Sequence, residues 1–290
     1  MDKKKHFSVR RLVQIAFSAL SNGYIAGFMG KGLYQGAGKR FCLPGLNCYS
    51  CPGALGSCPI GSLQAVLGSW KYGFSFYVVG FLIFLGALFG RFACGFLCPF
   101  GLLQELLHKL PLPRKRKNLP GHRYLKYLKY VILAVFVIAL PLLAVDMVGQ
   151  GQPWFCKWIC PSGTVSGWLQ MTVEPELRGQ AGFLFSWKSA LCAALLILSI
   201  FVHRPFCKYL CPLGAAYGLA QKWALVRIRC DESKCIRCGK CKKVCPMGVD
   251  PSTDSGSAEC VQCRECIGAC PVKALRQGLP VDRKKEENAK

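Results

Sequence analysis

The chain has 290 residues, 52% of them hydrophobic and only 18% charged, which is too apolar for an ordinary soluble domain of this length. Its net charge of +24 does not mark a nucleic-acid binder, because the basic residues flank hydrophobic runs instead of covering a polar face, as membrane topology signals do. Twenty cysteines in so long a chain do not fit a disulfide scaffold, a device of short secreted domains, and point to metal ligation.

The opening MDKKKHFSVRRLVQIAFSAL has the basic head of a signal peptide, but no small-residue cleavage site follows, so it reads as a retained first helix. A bilayer core of about 30 Å needs roughly 20 mostly apolar residues in a helix. Four runs meet that need, approximately 12–30, 72–92, 127–148 and 183–202. Basic residues crowd the start and the loop between the second and third runs, including the PRKRK stretch, and are sparse in the other two loops. The positive-inside rule then puts both termini in the cytoplasm and makes the chain a multi-pass protein of the cytoplasmic (inner) membrane.

A cysteine motif recurs along these runs. CGFLCPFG from Cys94, CKWICPSG from Cys156 and CKYLCPLG from Cys207 share C-x-x-x-C-P-x-G, and SCPIG at Cys58 supplies a fourth C-P-x-G. Each half of the membrane region therefore reads as span, outer cysteines, span, inner cysteines, an internal repeat of two hairpins. The runs LLQELLHKL and AAYGLAQKWAL that follow two of the motifs suit helices lying along the interface. C-x3-C-P also closes the ligand run of bacterial ferredoxins. Cys94, Cys98, Cys207 and Cys211, all at the inner face, make four thiolates for one cluster. At the outer face Cys51, Cys58, Cys156 and Cys160 would mirror them, with Cys48 an equal substitute for Cys51 and with disulfides as the competing reading. Surface-bound sites on opposite faces would stand about 30 Å apart.

After Trp223 the character changes. CIRCGKCKKVCP and CVQCRECIGACP are two complete C-x2-C-x2-C-x3-C-P runs. In the two-cluster arrangement the fourth cysteine of each run ligates the other cluster. That assigns Cys235, Cys238, Cys241 and Cys270 to one [4Fe-4S] centre, and Cys260, Cys263, Cys266 and Cys245 to the second. Zinc gives no reason for the third evenly spaced cysteine and the trailing proline. Cys230 has no place in this scheme. PMGVDPSTDSGSAE reads as a loop, KWALVRIRC contains a short edge strand, and the polar end VDRKKEENAK reads as disordered.

The expected fold is thus a mainly α membrane protein. It has four transmembrane helices in residues 1–225 with interfacial helices, an α+β bacterial-ferredoxin-like domain at 226–275 and a tail at 276–290. With these motifs in place, the sequence resembles the membrane polyferredoxin family of NapH and NosR type. That resemblance implies a multi-span electron carrier with [4Fe-4S] clusters, acting beside other electron-transfer subunits. No nucleophile–base pair, phosphate loop or flavin motif is visible, so the chain reads as the electron-transfer subunit of an oxidoreductase system. The function expected is a relay from a cytoplasmic donor such as ferredoxin or flavodoxin to a quinone or an outer-face acceptor. Two clusters lie in the ferredoxin domain, one at the inner membrane face, and a further one at the outer face if the thiols there bind iron. A quinol dehydrogenase membrane component and a redox sensor or assembly factor are the alternatives, and membrane lipid is the constant partner.

Overall fold

Apolar runs with proline-marked starts become helices here, and the chain is mainly α. The computed structural model describes residues 3–30, 32–70, 72–73, 75–111, 115–147 and 149–278. In chain order the principal helices are α1 (Lys3–Ser21), α2 (Pro59–Gly68), α3 (Phe76–Phe89), α4 (Pro99–His108), α5 (His122–Leu143), α6 (Pro161–Val173), α7 (Phe183–Phe201) and α8 (Pro212–Ala220). The C-terminal region adds β1 (Arg227–Cys230), α9 (Lys240–Val244), α10 (Glu265–Ala269) and β2 (Leu275–Gly278). The two strands pair antiparallel, with Cys230 opposite Leu275, so the expected edge strand is present and its partner runs past the boundary at 275. The last residues of the polar tail, from 279 on, lie outside the described residues, as do Pro113 and Arg114 of the PRKRK stretch.

Two helices, α5 and α7, are long and apolar enough to cross a membrane. Both are largely exposed, with only 22% and 17% of their apolar windows buried, which suits lipid as the surrounding solvent and marks a membrane protein. The second expected span is shorter: α3 has 14 residues and stops at Gly90, whose φ of 54° ends the helix and where a Cβ would meet the Gln221 side chain at 2.1 Å. The first differs too. Ser18, Ser21 and Asn22 bond carbonyls of the preceding turn, and the chain leaves the helix at Ser21 instead of continuing to residue 30. Helix α1 also turns its polar side inward, with Arg10, Gln14 and Ser21 buried while Leu12, Ile15 and Leu20 are exposed. In α5 a π-helical stretch at Leu133–Ala139 precedes Pro141, whose missing N–H and bulky ring cannot be accommodated by a regular helix.

Helix α4 does not lie open along an interface as its sequence suggests. It packs between α1 and α7 and buries Phe100, Leu102, Gln104 and Glu105. Helix α8 is likewise packed, against α3 and α5. The segment 32–58 has little regular structure, yet Cys42, Leu46, Asn47, Cys51 and Ala54 are buried, so it is a loop that dives into the protein core. Irregular backbone at membrane depth is tolerable only in such protein surroundings. One apolar core joins this loop to the helices and contains Cys42, Cys58, Cys94, Cys98, Cys160, Cys207, Cys211 and Cys245. A smaller core of Ile228, Leu275, Cys241 and Cys266 lies under the two strands.

Candidate metal centres

The four C-P-x-G motifs that start at Cys58, Cys98, Cys160 and Cys211 adopt the same local structure. The cysteine is the N-cap of a helix and the proline occupies its first turn, where no amide hydrogen is needed: Cys58 caps α2, Cys98 α4, Cys160 α6 and Cys211 α8. The glycine three residues on then donates its N–H to the cysteine sulfur, at 3.4 Å from Gly101 to Cys98 and 3.3 Å from Gly214 to Cys211, with the same pairing from Gly61 to Cys58 and Gly163 to Cys160. A sulfur at a helix N-terminus beside an aligned N–H is held where negative charge is stabilised.

At the inner set the glycines also admit cations. A Cβ at Gly101 would stand 3.1 Å from the Arg204 guanidinium, and one at Gly214 would stand 3.0 Å from Arg91 Nη2. The two arginines are exchanged between the halves: Arg91 Nη2 donates to Cys207 O at 3.0 Å and Arg204 Nη1 donates to Cys94 O at 2.6 Å. Each precedes its own C-x3-C by the same spacing, R-F-A-C and R-P-F-C. Both are fully buried, and each leaves its Nε without a hydrogen-bond partner among the described residues. The four thiols interact electrostatically with one another, Cys211 with Cys207, Cys94 and Cys98, and Cys207 with Cys98. Burial pushes each thiol above its ordinary value, while Arg91 and Arg204 pull Cys94 back toward the thiolate. Arg204 is shared with Glu105 at 3.0 Å, and Arg10 holds the same carboxylate at 2.9 Å while also donating to Gly95 O at 3.2 Å.

The outer set repeats this arrangement. Gln104 of α4 donates to Cys207 Sγ at 3.2 Å and accepts from Phe206 N–H at 3.2 Å. Gln64 of α2 does the same across the other pair, donating to Cys156 Sγ at 3.3 Å and accepting from Phe155 N–H at 2.9 Å. Both belong to a C-P-x-G-x-x-Q stretch, CPIGSLQ and CPFGLLQ, facing an F-C-x3-C-P stretch. Cys160 interacts with Cys156, Cys48 and Cys58, and a Cβ at Gly163 would lie 3.8 Å from Cys48 Sγ and 3.9 Å from Lys188 Nζ. Cys48 is thus the further thiol that stands beside Cys58, Cys156 and Cys160, and Lys39 interacts with both Cys48 and Cys51. Burial raises the Cys58 thiol to about 12 and the Cys156 thiol to about 11. All of these cysteines are free thiols in the structure.

The C-terminal region brings its two runs together crosswise. Cys235, Cys238, Cys241 and Cys270 line one cavity, and Cys266 interacts with Cys260 and Cys245. The halves match in backbone as well: Arg237 and Gln262 take positive φ within each C-x2-C, as do Gly239 and Arg264 one residue past it.

The sets adjoin one another. Gly95, inside the inner C-x3-C loop, faces the loop between Cys260 and Cys263 so closely that a Cβ would fall 2.2 Å from Val261 O. The buried loop 42–48 reaches the inner set from the other side, where Leu46 N–H donates to Cys98 Sγ and a Cβ at Gly45 would lie 3.0 Å from Cys98 Cα. Cys48 follows Leu46 by two residues, so at most about 8 Å of backbone separates the two sets there. Tyr217, fully buried, interacts with Cys94 and Cys98 of one set and Cys58 of the other. The roughly 30 Å that would part sites held at opposite membrane surfaces does not separate these two sets, because the buried loop 42–48 joins them.

Among the described residues no three or more Cys, His, Asp or Glu side chains close around the point that a single metal ion would occupy. A cluster needs its thiolates further apart than a lone ion does, and the donor set is all sulfur with N–H and cationic partners, which fits [4Fe-4S] ligation and the anionic charge it carries. Sequence reasoning missed Arg91, Arg204, Gln64, Gln104 and Glu259. The repeated R-x-x-C and C-P-x-G-x-x-Q spacings would have found the first four; Glu259, within the supposed linker, carried no signal.

Comparison with known proteins agrees. The model of a 4Fe-4S binding domain matches residues 72–120, 130–178 and 183–229, one C-x3-C-P motif in each, and a second 4Fe-4S binding domain matches 231–249. The chain is 28% identical to the uncharacterised protein MJ0749 of Methanocaldococcus jannaschii over 58% of its own length and 56% of the relative's. It is 32% identical to the regulatory protein NosR of Pseudomonas aeruginosa over 53% of this chain and 20% of that one. With the methylamine utilization ferredoxin-type protein MauN of Methylorubrum extorquens it shares 30% identity over 86% of this chain and 78% of the relative. The chain thus spans about half the length of MJ0749 and a fifth of that of NosR. No solved structure matches it. With three matched segments each built on a capped C-x3-C-P and a fourth on the ferredoxin run, the chain belongs to the 4Fe-4S binding domain family, of the membrane polyferredoxin kind.

Proposed function

We propose that the chain is an iron–sulfur relay that carries electrons between a cytoplasmic donor and an acceptor in the membrane or at its outer face. The thiol sets each take one [4Fe-4S] cluster: Cys235, Cys238, Cys241 with Cys270; Cys260, Cys263, Cys266 with Cys245; Cys94, Cys98, Cys207 with Cys211; and Cys48, Cys58, Cys156 with Cys160. When bound, such clusters supply reversible one-electron chemistry. The observation that carries the reading is the unbroken succession of contacts, Val261 against Gly95 and then Leu46 against Cys98, which leaves no bilayer-wide gap to cross. The resemblance of the outer set to the inner one, down to Gln64 and Gln104, supports iron over disulfides there.

The chain's own residues perform the remaining work. Arg91, Arg204 and Lys188 balance negative charge, the capping N–H groups and the two glutamines set how easily each site accepts an electron, and the apolar core excludes water. In this reading residues 1–225 cross the cytoplasmic membrane four times as two hairpins, both termini are cytoplasmic, and residues 226–275 form the ferredoxin domain. Cys238 is exposed beside Ile236, so the Cys235 set faces the donor, an acidic carrier such as ferredoxin or flavodoxin. The test uses the whole protein in proteoliposomes, with a reduced viologen inside and an impermeant acceptor outside. Sustained electron transfer is expected, falling to background in a Cys94→Ala/Cys211→Ala variant; transfer equal in the two proteins, or absent in the parent, rejects the relay.

A second reading, exchange with a membrane quinone, draws on an apolar cavity of about 580 Å³ lined by Phe136, Trp154, Trp158, Ile159, Trp187 and Leu191. It borders the turn between Cys156 and Cys160. Quinone-dependent oxidation of the reduced protein, blocked by Trp158→Ala, would favour it.

A further inference from the structure

The cavity lined by Cys235, Cys238, Cys241 and Cys270 has a fifth thiol in its wall, that of Cys230. The sequence motifs leave this residue unassigned, since it precedes the first C-x2-C run and sits on a strand. Its place is fixed. Cys230 ends β1, and the pairing of Arg227–Cys230 with Leu275–Gly278 pins its backbone opposite Leu275, which lines the same cavity. Its thiol contacts that of Cys235 and interacts with Cys241 and Cys270. The one hydroxyl nearby, Ser252, is already engaged with Asp250 at 2.5 Å. Five sulfurs thus surround a site whose cluster takes four.

We propose that Cys230 is a reserve ligand for this cluster, interchangeable with Cys235. The exchange is redox-neutral: the Cys230 thiol gives its proton to solvent, its sulfur bonds the iron as the Cys235 sulfur leaves, and Cys235 takes up a proton. Cys230 is half-buried and Cys235 follows it by a short loop, so the substitution requires the loop to shift and leaves the strand in place. The consequence is a donor-facing site that keeps its iron when Cys235 is oxidised or alkylated, the injury to which a partly exposed cluster ligand is most open. This inference rests on [4Fe-4S] ligation by the C-terminal runs.

The test is iron and acid-labile sulfide analysis of the full-length protein, purified anaerobically, as wild type, Cys230→Ala, Cys235→Ala and the double variant, with mapping of alkylated cysteines by mass spectrometry. Both single variants are expected to keep the wild-type iron content, and the double variant to lose about four iron atoms. Cys230 should be alkylated in the folded wild type and protected in Cys235→Ala. Equal iron loss in Cys235→Ala and the double variant, or Cys230 alkylated equally in wild type and Cys235→Ala, overturns the proposal. The electron paramagnetic resonance signal of the Cys245 and Cys260 site should persist in every variant; its loss from Cys235→Ala also counts against the proposal, because a reserve ligand would have spared the domain. A wild type without iron in the C-terminal runs would instead refute the underlying ligation.

Discussion

Glu259→Gln should loosen the ferredoxin region from the helices that carry the inner cysteines. The carboxylate meets Lys129 Nζ at 2.6 Å through Oε1 and Arg91 Nη1 at 3.2 Å through Oε2, and the same Arg91 nitrogen donates to Ala258 O at 2.7 Å. Both cations are fully buried and the carboxylate is 14% exposed. Removing one partner of such a network leaves uncompensated buried charge at a cost of about 3–5 kcal/mol, which makes separation of the two regions roughly a hundred- to several-thousand-fold more frequent. Native-state hydrogen exchange in lipid nanodiscs reads this directly at the amides of residues 257–263. Lys129→Met added to Glu259→Gln should restore part of the protection, because one of the two stranded cations is gone. The arginine and lysine hold the Glu259 carboxyl below its ordinary value, so its contribution is complete above about pH 4.3 and is lost as pH falls through the lowered value in the folded protein. Less than a tenfold change in exchange on Glu259→Gln would refute the anchoring role.

Two other outcomes follow from the geometry. Gln104→Leu removes the 3.2 Å N–H bond to Cys207 Sγ, a bond that strengthens as a site gains negative charge, so the reduction potential of the inner cluster should fall by tens of millivolts, about 60 mV for each tenfold change in the equilibrium; redox titration monitored by electron paramagnetic resonance checks it, and Gln64→Leu should act alike on the outer set. His203 is held at about 4, chiefly by burial, beside Glu105 at 3.6 Å with Arg204 and Lys208 nearby and the His108 ring 5.4 Å away. Because its value in the folded protein is depressed, the stability it contributes is present above about pH 6.5 and is lost as pH falls toward 4, by roughly 3 kcal/mol in all. His203→Gln should flatten the decline in thermal midpoint between those values, and an unchanged slope would contradict the assignment.

Much of the chemistry was legible in the letters because metal ligation and helix capping are local. A cysteine followed by proline and then glycine caps a helix at Cys58, Cys98, Cys160 and Cys211, whereas the same letters at Cys245 lead into a turn. The crosswise assignment proposed for Cys245 and Cys270 rests on the same local logic, since ligand spacing carries it. The limits of the helices were less legible. Residues 12–30 look like one apolar run, but Ser18, Ser21 and Asn22 end the helix early, and its polar face proves to be its buried one. How Arg91, Arg204 and Glu259 pair is a matter of long-range contact. Residues in such pairs stand from about a hundred positions apart upward. The tertiary structure alone decided them, because a buried charge takes whichever partner the folded chain brings within hydrogen-bonding distance, and no local pattern encodes that meeting.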